Sequence, residues 1–287
     1  MPYTTLISAD ELLALRDSGE RLMVFDCSFD LTNPQAGDRH FAEAHIPGAV
    51  RADLERTLSA RKGDPHAASG GRHPLPAREA FADWLGGVGF ANDMQAVVYD
   101  RQGVNFAGRL WWMLKWLGHE PVAVLDGGMP AWYAAGGVVT SGTPVAHAAT
   151  RFTIAAPRAR LLGAQQVLEH LGDPGQSIID ARAAERYRGE VEPMDPVAGH
   201  IPGALNRPFG RNIDDDGRLK PASVLEAEFL ELLDGRDPAS VVHHCGSGVT
   251  AVPNILAMEL AGLGRQPLFA GSWSEWCSDP ARPVARG

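Results

Sequence analysis

The pentapeptide HIPGA occurs at His45–Ala49 and again at His200–Ala204, an offset of 155 residues (45 to 200). Each copy follows a short apolar run that ends in an aspartate, Asp26 in the first case and Asp180 in the second. Further along the chain, Leu125–Trp132 is echoed by Phe269–Trp276. Blocks that recur in the same order indicate a tandem duplication, with a repeat far longer than that of solenoid proteins.

The strand pattern of each copy continues into a glycine-containing segment. Val97–Val104 aligns with Val242–Val249, which places Asp100 opposite Cys245. Within each copy, short strands rich in Val and Ile alternate with helical patterns, and this alternation predicts a parallel sheet with helices on both faces. The predicted helices are Ala9–Ser18, Arg78–Gly86 and Gly108–Leu117 in the first copy, and Gly163–Leu171, Leu225–Leu233 and Ala251–Gly262 in the second.

We therefore predict an α/β fold made of two related domains, residues 1–140 and 158–287, joined by a linker at 141–157. The offset between the copies falls from 155 (45 to 200) to 145 (100 to 245), so the first copy carries about ten extra residues. They fall within Arg51–Pro76, a polar stretch with many turn-forming residues.

Composition narrows the range of functions. The chain has 287 residues, 45% of them hydrophobic, and a net charge of −9. An acidic chain without basic runs argues against a nucleic-acid or membrane-surface partner, and no apolar stretch approaches the roughly 20 residues of a membrane span. The first residues lack the pattern of a signal peptide, and three cysteines form no disulfide framework. We predict a soluble, cytoplasmic protein.

The segment Val241–Thr250, with the sequence VVHHCGSGVT, reads as a strand, a tight loop and the start of a helix. Cys245 lies at the strand end, where the backbone N–H groups of a loop and a helix N-terminus favour an anion. This position favours the reactive thiolate, so Cys245 is the predicted nucleophile. Cys27 and Cys277 lie in apolar surroundings and are interpreted as structural.

A duplicated α/β domain with HIPGA in each copy and a loop cysteine only in the second resembles the two-domain rhodanese-type sulfurtransferases. The loop Cys245–Thr250 is similar to that of the 3-mercaptopyruvate enzymes, since Gly246 and Ser247 stand where thiosulfate-preferring members carry basic residues. The resemblance implies transfer of a sulfane sulfur from 3-mercaptopyruvate, through a persulfide, to cyanide or a thiol such as thioredoxin or glutathione. It implies neither cofactor nor metal. The alternative donor is thiosulfate.

The resemblance also implies a substrate site. Arg186 is the position that would hold the donor carboxylate, because an arginine fork matches carboxylate geometry. Animal 3-mercaptopyruvate enzymes carry a second arginine where this chain has Asp195, an acid expected to repel the substrate. Either Arg188 or Arg109 compensates as a second cation, or the substrate differs. The loop residues expected to contact substrate are Gly246, Gly248, Val249 and Thr250.

By the same resemblance, Ser247 belongs to a serine–histidine–acid relay. The histidine aligns with His73, and the acid aligns with Glu55, with Asp53 and Asp64 as alternatives. All of them lie on the insertion of the first copy. We therefore expect the first domain, which has no nucleophile, to supply a lid and a proton-transfer histidine across the domain interface.

The sequence around Cys245 bears on three other classes of protein. Cysteine phosphatases need an arginine where this chain has Ala251. A metal site on His243, His244 and Cys245 is disfavoured because adjacent strand residues point to opposite faces of a sheet, and no second cluster completes a ligand set. A non-catalytic sulfur-relay or binding module stays open, although the retained Cys245 favours an enzyme.

Overall fold

Parallel strands and helices alternate throughout the chain in the computed structural model, which describes residues 1–287. The residues group into two compact units, each held together mainly by its own contacts. Unit 1 comprises Met1–Ala60, Pro76–Arg158 and Asp215–Arg218, and unit 2 comprises Arg61–Leu75, Ala159–Asp214 and Leu219–Gly287. No helix is both long enough and apolar enough to cross a membrane.

Unit 1 contains a five-stranded parallel sheet in the order β1-β5-β4-β2-β3. Its central strand β4 is buried along its whole length, as expected for a parallel strand that is covered on both faces. In chain order the elements are β1 (Leu6–Ile7), α1 (Ala9–Asp17), β2 (Leu22–Asp26), α2 (Ala36–Glu43), β3 (Val50–Arg51), α3 (Arg78–Gly87), β4 (Gln95–Tyr99), α4 (Ala107–Trp116), β5 (Val122–Leu125) and α5 (Gly128–Ala134).

Unit 2 repeats this arrangement, with strand order β6-β10-β9-β7-β8 and parallel pairing throughout. Short 3₁₀ turns precede α8 and β9. In chain order the elements are β6 (Leu161–Leu162), α6 (Ala164–Glu169), β7 (Ser177–Asp180), α7 (Ala184–Tyr187), β8 (Leu205–Asn206), α8 (Ala222–Leu233), β9 (Val241–His244), α9 (Val252–Leu260), β10 (Leu268–Phe269) and α10 (Ser272–Trp276).

The strand registers confirm the alignment of the two copies. Asp26 pairs with Tyr99 in unit 1, and Asp180 pairs with His244 in unit 2. The next residues, Asp100 and Cys245, therefore occupy the same position, just beyond the carboxyl end of a central strand. In open α/β sheets this is the edge at which ligands bind.

The predicted α/β class with tandem domains is confirmed, and all six predicted helices are present with ends shifted by up to three residues. The sequence patterns missed α2, α5, α7 and α10, which are short and carry glycine or clustered polar residues. Most of the insertion, Arg61–Leu75, belongs to unit 2, although the residues on either side of it belong to unit 1.

Candidate active site

The nucleophile loop connects β9 to α9. Cys245 directly follows the buried strand and is itself buried. The chain turns back toward the helix at Gly248, whose φ is +73° and where any Cβ would collide with the carbonyl of Ala270. Only glycine satisfies both demands. The segment between Cys245 and α9 is therefore a short, sharp turn that packs closely against Ala270.

The backbone of Cys245 is held from α10. Its N–H donates to Ser272 Oγ at 3.1 Å, and its carbonyl accepts from the N–H of Trp273 at 3.0 Å. Ser272 is fully buried and has a φ of +55°, a left-handed conformation that is costly for a residue with a Cβ. These two bonds, one on each side of its Cα, restrict the movement of Cys245, the predicted nucleophile.

The corresponding loop of unit 1 surrounds an anion. The Asp100 carboxylate accepts backbone N–H bonds from Gln102 at 2.8 Å, Phe106 at 2.7 Å and Ala107 at 2.9 Å. Burial raises the pKa of Asp100, and these three bonds oppose that shift. The unit 1 loop thus directs three N–H dipoles to the Asp100 carboxylate, and Cys245 is attached at the corresponding position of the unit 2 loop.

The structure brings His73 and Ser247 together. His73 Nδ1 lies 2.8 Å from Ser247 Oγ, both side chains are buried, and both residues belong to unit 2. A histidine in contact with a hydroxyl next to the nucleophile has the geometry needed to pass a proton.

The three candidate acids differ in burial and in their surroundings. Asp53 is buried in unit 1 and pairs with Arg51 and Arg56, both within 3.3 Å. Glu55 is exposed in unit 1, and Asp64 is exposed in unit 2, where it accepts from a backbone N–H. The assignment of an acid to the relay stays a prediction.

The predicted substrate arginines differ in their placement. A Cβ built on Gly246 would lie 3.5 Å from Arg186 Nη1, so this guanidinium adjoins the nucleophile loop. Arg188 is instead paired with the exposed Glu190 at 2.7 Å. Arg109 is fully buried in unit 1 and donates to the carbonyl of Leu58 at 3.1 Å. Of the three arginines, Arg186 alone is placed beside the loop.

Asp195 does not stand as an unpaired acid facing the substrate, as the sequence suggested. It accepts from Arg72 Nη1 at 2.6 Å and from Arg186 Nη2 at 3.4 Å. Burial and the neighbouring Glu192 raise the pKa of Asp195, and the two arginines lower it. Its negative charge is therefore compensated locally, and the expected repulsion of an anionic donor is removed.

Sequence reasoning missed Arg72, Glu192 and Ser272. Arg72 directly precedes the predicted His73, so its place in the sequence could have identified it. Ser272 aligns with Gly128 of the first copy, so a comparison of the two copies could have identified it. No sequence pattern marked Glu192, because its ion pairs with Arg186 at 2.7 Å and Arg182 at 3.3 Å form only in the folded chain.

Two buried histidines precede the nucleophile without forming a metal site. His243 Nε2 lies 3.2 Å from Met258 Sδ, whereas His244 Nε2 lies 3.6 Å from Asp180. Burial lowers the pKa of His243 to about 3 and also lowers that of His244. Both rings therefore belong to the interior around the sheet, on opposite sides of the strand.

The chain matches the Rhodanese-like domain family twice, at residues 8–135 and 163–279. It belongs to that family, and the predicted enzyme class, a sulfurtransferase, is confirmed. A probable 3-mercaptopyruvate sulfurtransferase of Pseudomonas aeruginosa is 47% identical over 290 residues and 100% of both chains. A putative thiosulfate sulfurtransferase, SseB of Mycobacterium tuberculosis, is 39% identical over 98% of this chain and 97% of that protein.

Solved structures of the same architecture include SseA from Escherichia coli, described as having the rhodanese fold of 3-mercaptopyruvate sulfotransferases. It is 31% identical, with a TM-score of 0.78, over 95% of this chain and 100% of that one. The 3-mercaptopyruvate sulfurtransferase from Leishmania major is 32% identical, with a TM-score of 0.79, over 96% of this chain and 74% of that one.

Proposed function

We propose that this protein takes a sulfane sulfur from 3-mercaptopyruvate onto Cys245 and passes it to a thiol, such as thioredoxin or glutathione, or to cyanide. The observation that carries the proposal is the Cys245 loop, which matches a loop that holds a carboxylate in unit 1. A persulfide anion on Cys245 would receive the same kind of N–H stabilisation.

The reaction has two steps. The Cys245 thiolate attacks the sulfur of 3-mercaptopyruvate, an S–S bond forms, and the C–S bond breaks. The electron pair of that bond leaves with carbon as the enolate of pyruvate, which takes up one proton. An acceptor thiolate or cyanide then attacks the outer sulfur of the persulfide and releases the Cys245 thiolate.

We assign the proton step to His73 and Ser247. Their contact of 2.8 Å places a titratable ring and a hydroxyl two residues from the nucleophile. The enolate of pyruvate must gain a proton before it leaves as a stable product, whereas sulfite leaves thiosulfate as a stable anion. Proton transfer by His73 and Ser247 is therefore needed when 3-mercaptopyruvate is the donor and dispensable when thiosulfate is the donor.

Arg186 binds the donor carboxylate in this proposal. Loss of a charge-assisted contact of this kind costs about 2–4 kcal/mol in the transition state, so Arg186→Ala should lower kcat/KM by roughly 30- to 1000-fold. Arg186→Lys should also be impaired because lysine lacks the planar fork.

Thiosulfate is the second candidate donor. Relatives named as thiosulfate sulfurtransferases support it, as do the two guanidinium groups that adjoin the loop near Gly246. A comparison of kcat/KM for the two donors separates the candidates, and mass spectrometry after donor treatment locates the added sulfur. An enzyme faster on thiosulfate would contradict the assignment, and sulfur on Cys27 or Cys277 would overturn the role of Cys245.

We also propose that the protein works in the cytoplasm. All three cysteines are free, which fits a reducing compartment. Fractionation of the native cells, with the protein followed by antibody, tests this location.

A further inference from the structure

Two guanidinium groups, not one, flank the nucleophile loop. A Cβ built on Gly246 would lie 3.2 Å from Arg72 Nη2 and 3.5 Å from Arg186 Nη1. A side chain at Gly246 would therefore press against both arginines. The glycine leaves the space in front of the loop to cationic side chains that come from elsewhere in unit 2.

Each of the two guanidinium groups forms an ion pair with a buried carboxylate. Arg72 Nη1 donates to Asp195 at 2.6 Å, and Arg186 Nη2 donates to Glu192 at 2.7 Å. The two acids are 4% and 3% exposed, whereas Arg72 is 26% and Arg186 18% exposed. The acids are thus shut away from solvent, and the cationic groups form the accessible part of the cluster.

Backbone contacts fix Arg72 relative to the loop. Ser274 donates its N–H to the carbonyl of Gly246 at 2.9 Å, and its Oγ accepts the N–H of Arg72 at 3.0 Å. The adjacent His73 contacts Ser247. Three consecutive links thus tie Arg72 and His73 to the segment Cys245–Ser247.

The protein's own carboxylates do not saturate the two forks. An arginine side chain has five N–H donors, and the Nε atoms of both Arg72 and Arg186 are buried without a hydrogen-bond acceptor. Two cations with unused donors, fixed beside a nucleophile, favour a ligand that brings additional acceptor oxygens.

We propose that Arg72 is the second arginine for the donor's carboxylate, acting with Arg186, and that Asp195 is a positioning residue that fixes the Arg72 guanidinium. This inference rests on the proposed function and identifies the substrate class of the site as short 2-oxo acids. It explains how a chain with Asp195 at the place of a second arginine keeps a two-arginine site. Arg72 of the insertion supplies the second cation, and Asp195 binds its guanidinium group.

The test compares Arg72→Ala and Arg72→Lys with Arg61→Ala, an exposed arginine on the same segment. We expect Arg72→Ala to raise the KM for 3-mercaptopyruvate by about 30-fold, with a smaller change in kcat, because it removes a charge-assisted contact. The Ki of pyruvate, which carries the same carboxylate, should rise in proportion. Arg72→Lys should fall between, since it keeps the charge without the fork, and Arg61→Ala should match wild type.

Delivery of sulfur from Cys245 to cyanide provides an internal control. Enzyme loaded in advance with thiosulfate should still release its sulfur to cyanide in Arg72→Ala, because that step uses no carboxylate donor, and Arg61→Ala should do so at the wild-type rate. An unchanged KM and Ki in Arg72→Ala would overturn the role of Arg72. A loss of cyanide discharge in Arg72→Ala as large as the rise in KM would point to a general disturbance of the loop and would also overturn it.

Asp195→Asn tests the positioning role. It preserves shape and removes the charge that fixes Arg72, so the KM for 3-mercaptopyruvate should rise, and Arg72→Ala/Asp195→Asn should be no worse than Arg72→Ala alone. A lower KM in Asp195→Asn would mean that the acid competes with the donor and would overturn this role.

Failure of the proposed function is recognised separately. If the wild-type enzyme does not turn over 3-mercaptopyruvate, the donor assignment fails, and pyruvate binding measured by NMR titration then decides on Arg72. Pyruvate bound by wild type and lost in Arg72→Ala supports the two-arginine site. Pyruvate bound equally by both, or by neither, overturns it.

Discussion

The loops that begin at Asp100 and at Cys245 are the same piece of structure with different residues at the first position. Each follows a buried parallel strand, and each has its first carbonyl bonded to a helix N–H, from Met129 in unit 1 and from Trp273 in unit 2. In unit 1 the loop N–H groups bind a carboxylate that belongs to the chain. In unit 2 the residue at that position is a cysteine, whose thiolate gains and passes on a sulfur atom in the proposed reaction. The comparison indicates that anion binding is a property of the loop and that chemistry depends on the residue at its base.

The largest effect should come from making the second loop a copy of the first. Cys245→Asp places a carboxylate where Asp100 stands in unit 1, so the chain should fold while sulfur transfer falls to the uncatalysed background. Cys245→Ala should be equally inactive because it also lacks the nucleophile. Assays of thiocyanate formation measure the activity, and circular dichroism measures folding. Cys277→Ala is the matched control and should keep activity; residual transfer in Cys245→Asp would contradict the model of one nucleophile.

The residue two positions further on also distinguishes the loops. Ser247 contacts His73, whereas its counterpart Gln102 donates to the carbonyl of Phe29. Ser247→Ala and His73→Asn should each slow turnover of 3-mercaptopyruvate by roughly 10²- to 10⁴-fold, the usual scale of general acid catalysis. Turnover of thiosulfate should change much less, because its leaving group needs no proton.

A double variant tests whether the two residues act as one unit. Ser247→Ala/His73→Asn should be scarcely slower than either single variant. Steady-state kinetics with both donors are the measurement. Equal losses on both donors, or fully additive losses, would argue for a structural role of the contact instead.

The built-in anion of unit 1 should matter for stability rather than for transfer. Asp100→Ala would leave three N–H groups without their acceptor, two of them buried, and each buried unsatisfied group costs on the order of 1–3 kcal/mol. We therefore expect the free energy of unfolding of the variant to fall by about 3 kcal/mol, measured by urea denaturation. Asp100→Asn retains one acceptor oxygen and should lose less. Wild-type stability in Asp100→Ala would mean that the loop does not depend on its anion.

The fold was predictable because its signals are local or repeated. HIPGA recurs after each strand that ends in aspartate, and helices such as Arg78–Gly87 carry a clear apolar pattern. The position of Cys245 at a strand end, before a glycine loop and a helix, was also predictable, since these three elements follow one another directly.

The proposed substrate arginines were not predictable to the same extent. Arg72 and Asp195 are far apart in the sequence, and their pairing depends on how the polar insertion folds back within unit 2. No periodicity encodes such a contact. Arg188 and Arg109 resembled substrate ligands by type alone, whereas their actual partners, Glu190 and the carbonyl of Leu58, come from local packing.

The smallest expected effect concerns the residue that lies beside the first carbonyl of each loop, Gly128 in unit 1 and Ser272 in unit 2. Both have nearly the same positive φ, +56° and +55°. Glycine adopts this conformation freely, whereas serine loses about 1–2 kcal/mol. The serine hydroxyl accepts the N–H of Cys245 at 3.1 Å and donates to the carbonyl of Phe269 at 3.0 Å. Each of these hydrogen bonds contributes about 1 kcal/mol, which offsets the backbone cost, so Ser272→Gly should leave the free energy of unfolding within about 1 kcal/mol of wild type.

Catalysis should respond to Ser272→Gly even though stability does not. Without the hydroxyl, the backbone of Cys245 loses one of its two hydrogen bonds to α10. The kcat/KM should then fall by about fivefold, the equivalent of one hydrogen bond. Ser272→Ala keeps the strained Cβ and loses the hydroxyl, so it should be both slower and less stable. If Ser272→Gly matched wild type with both donors, the hydroxyl would serve packing alone. The strained serine would then need another explanation than its hold on the nucleophile.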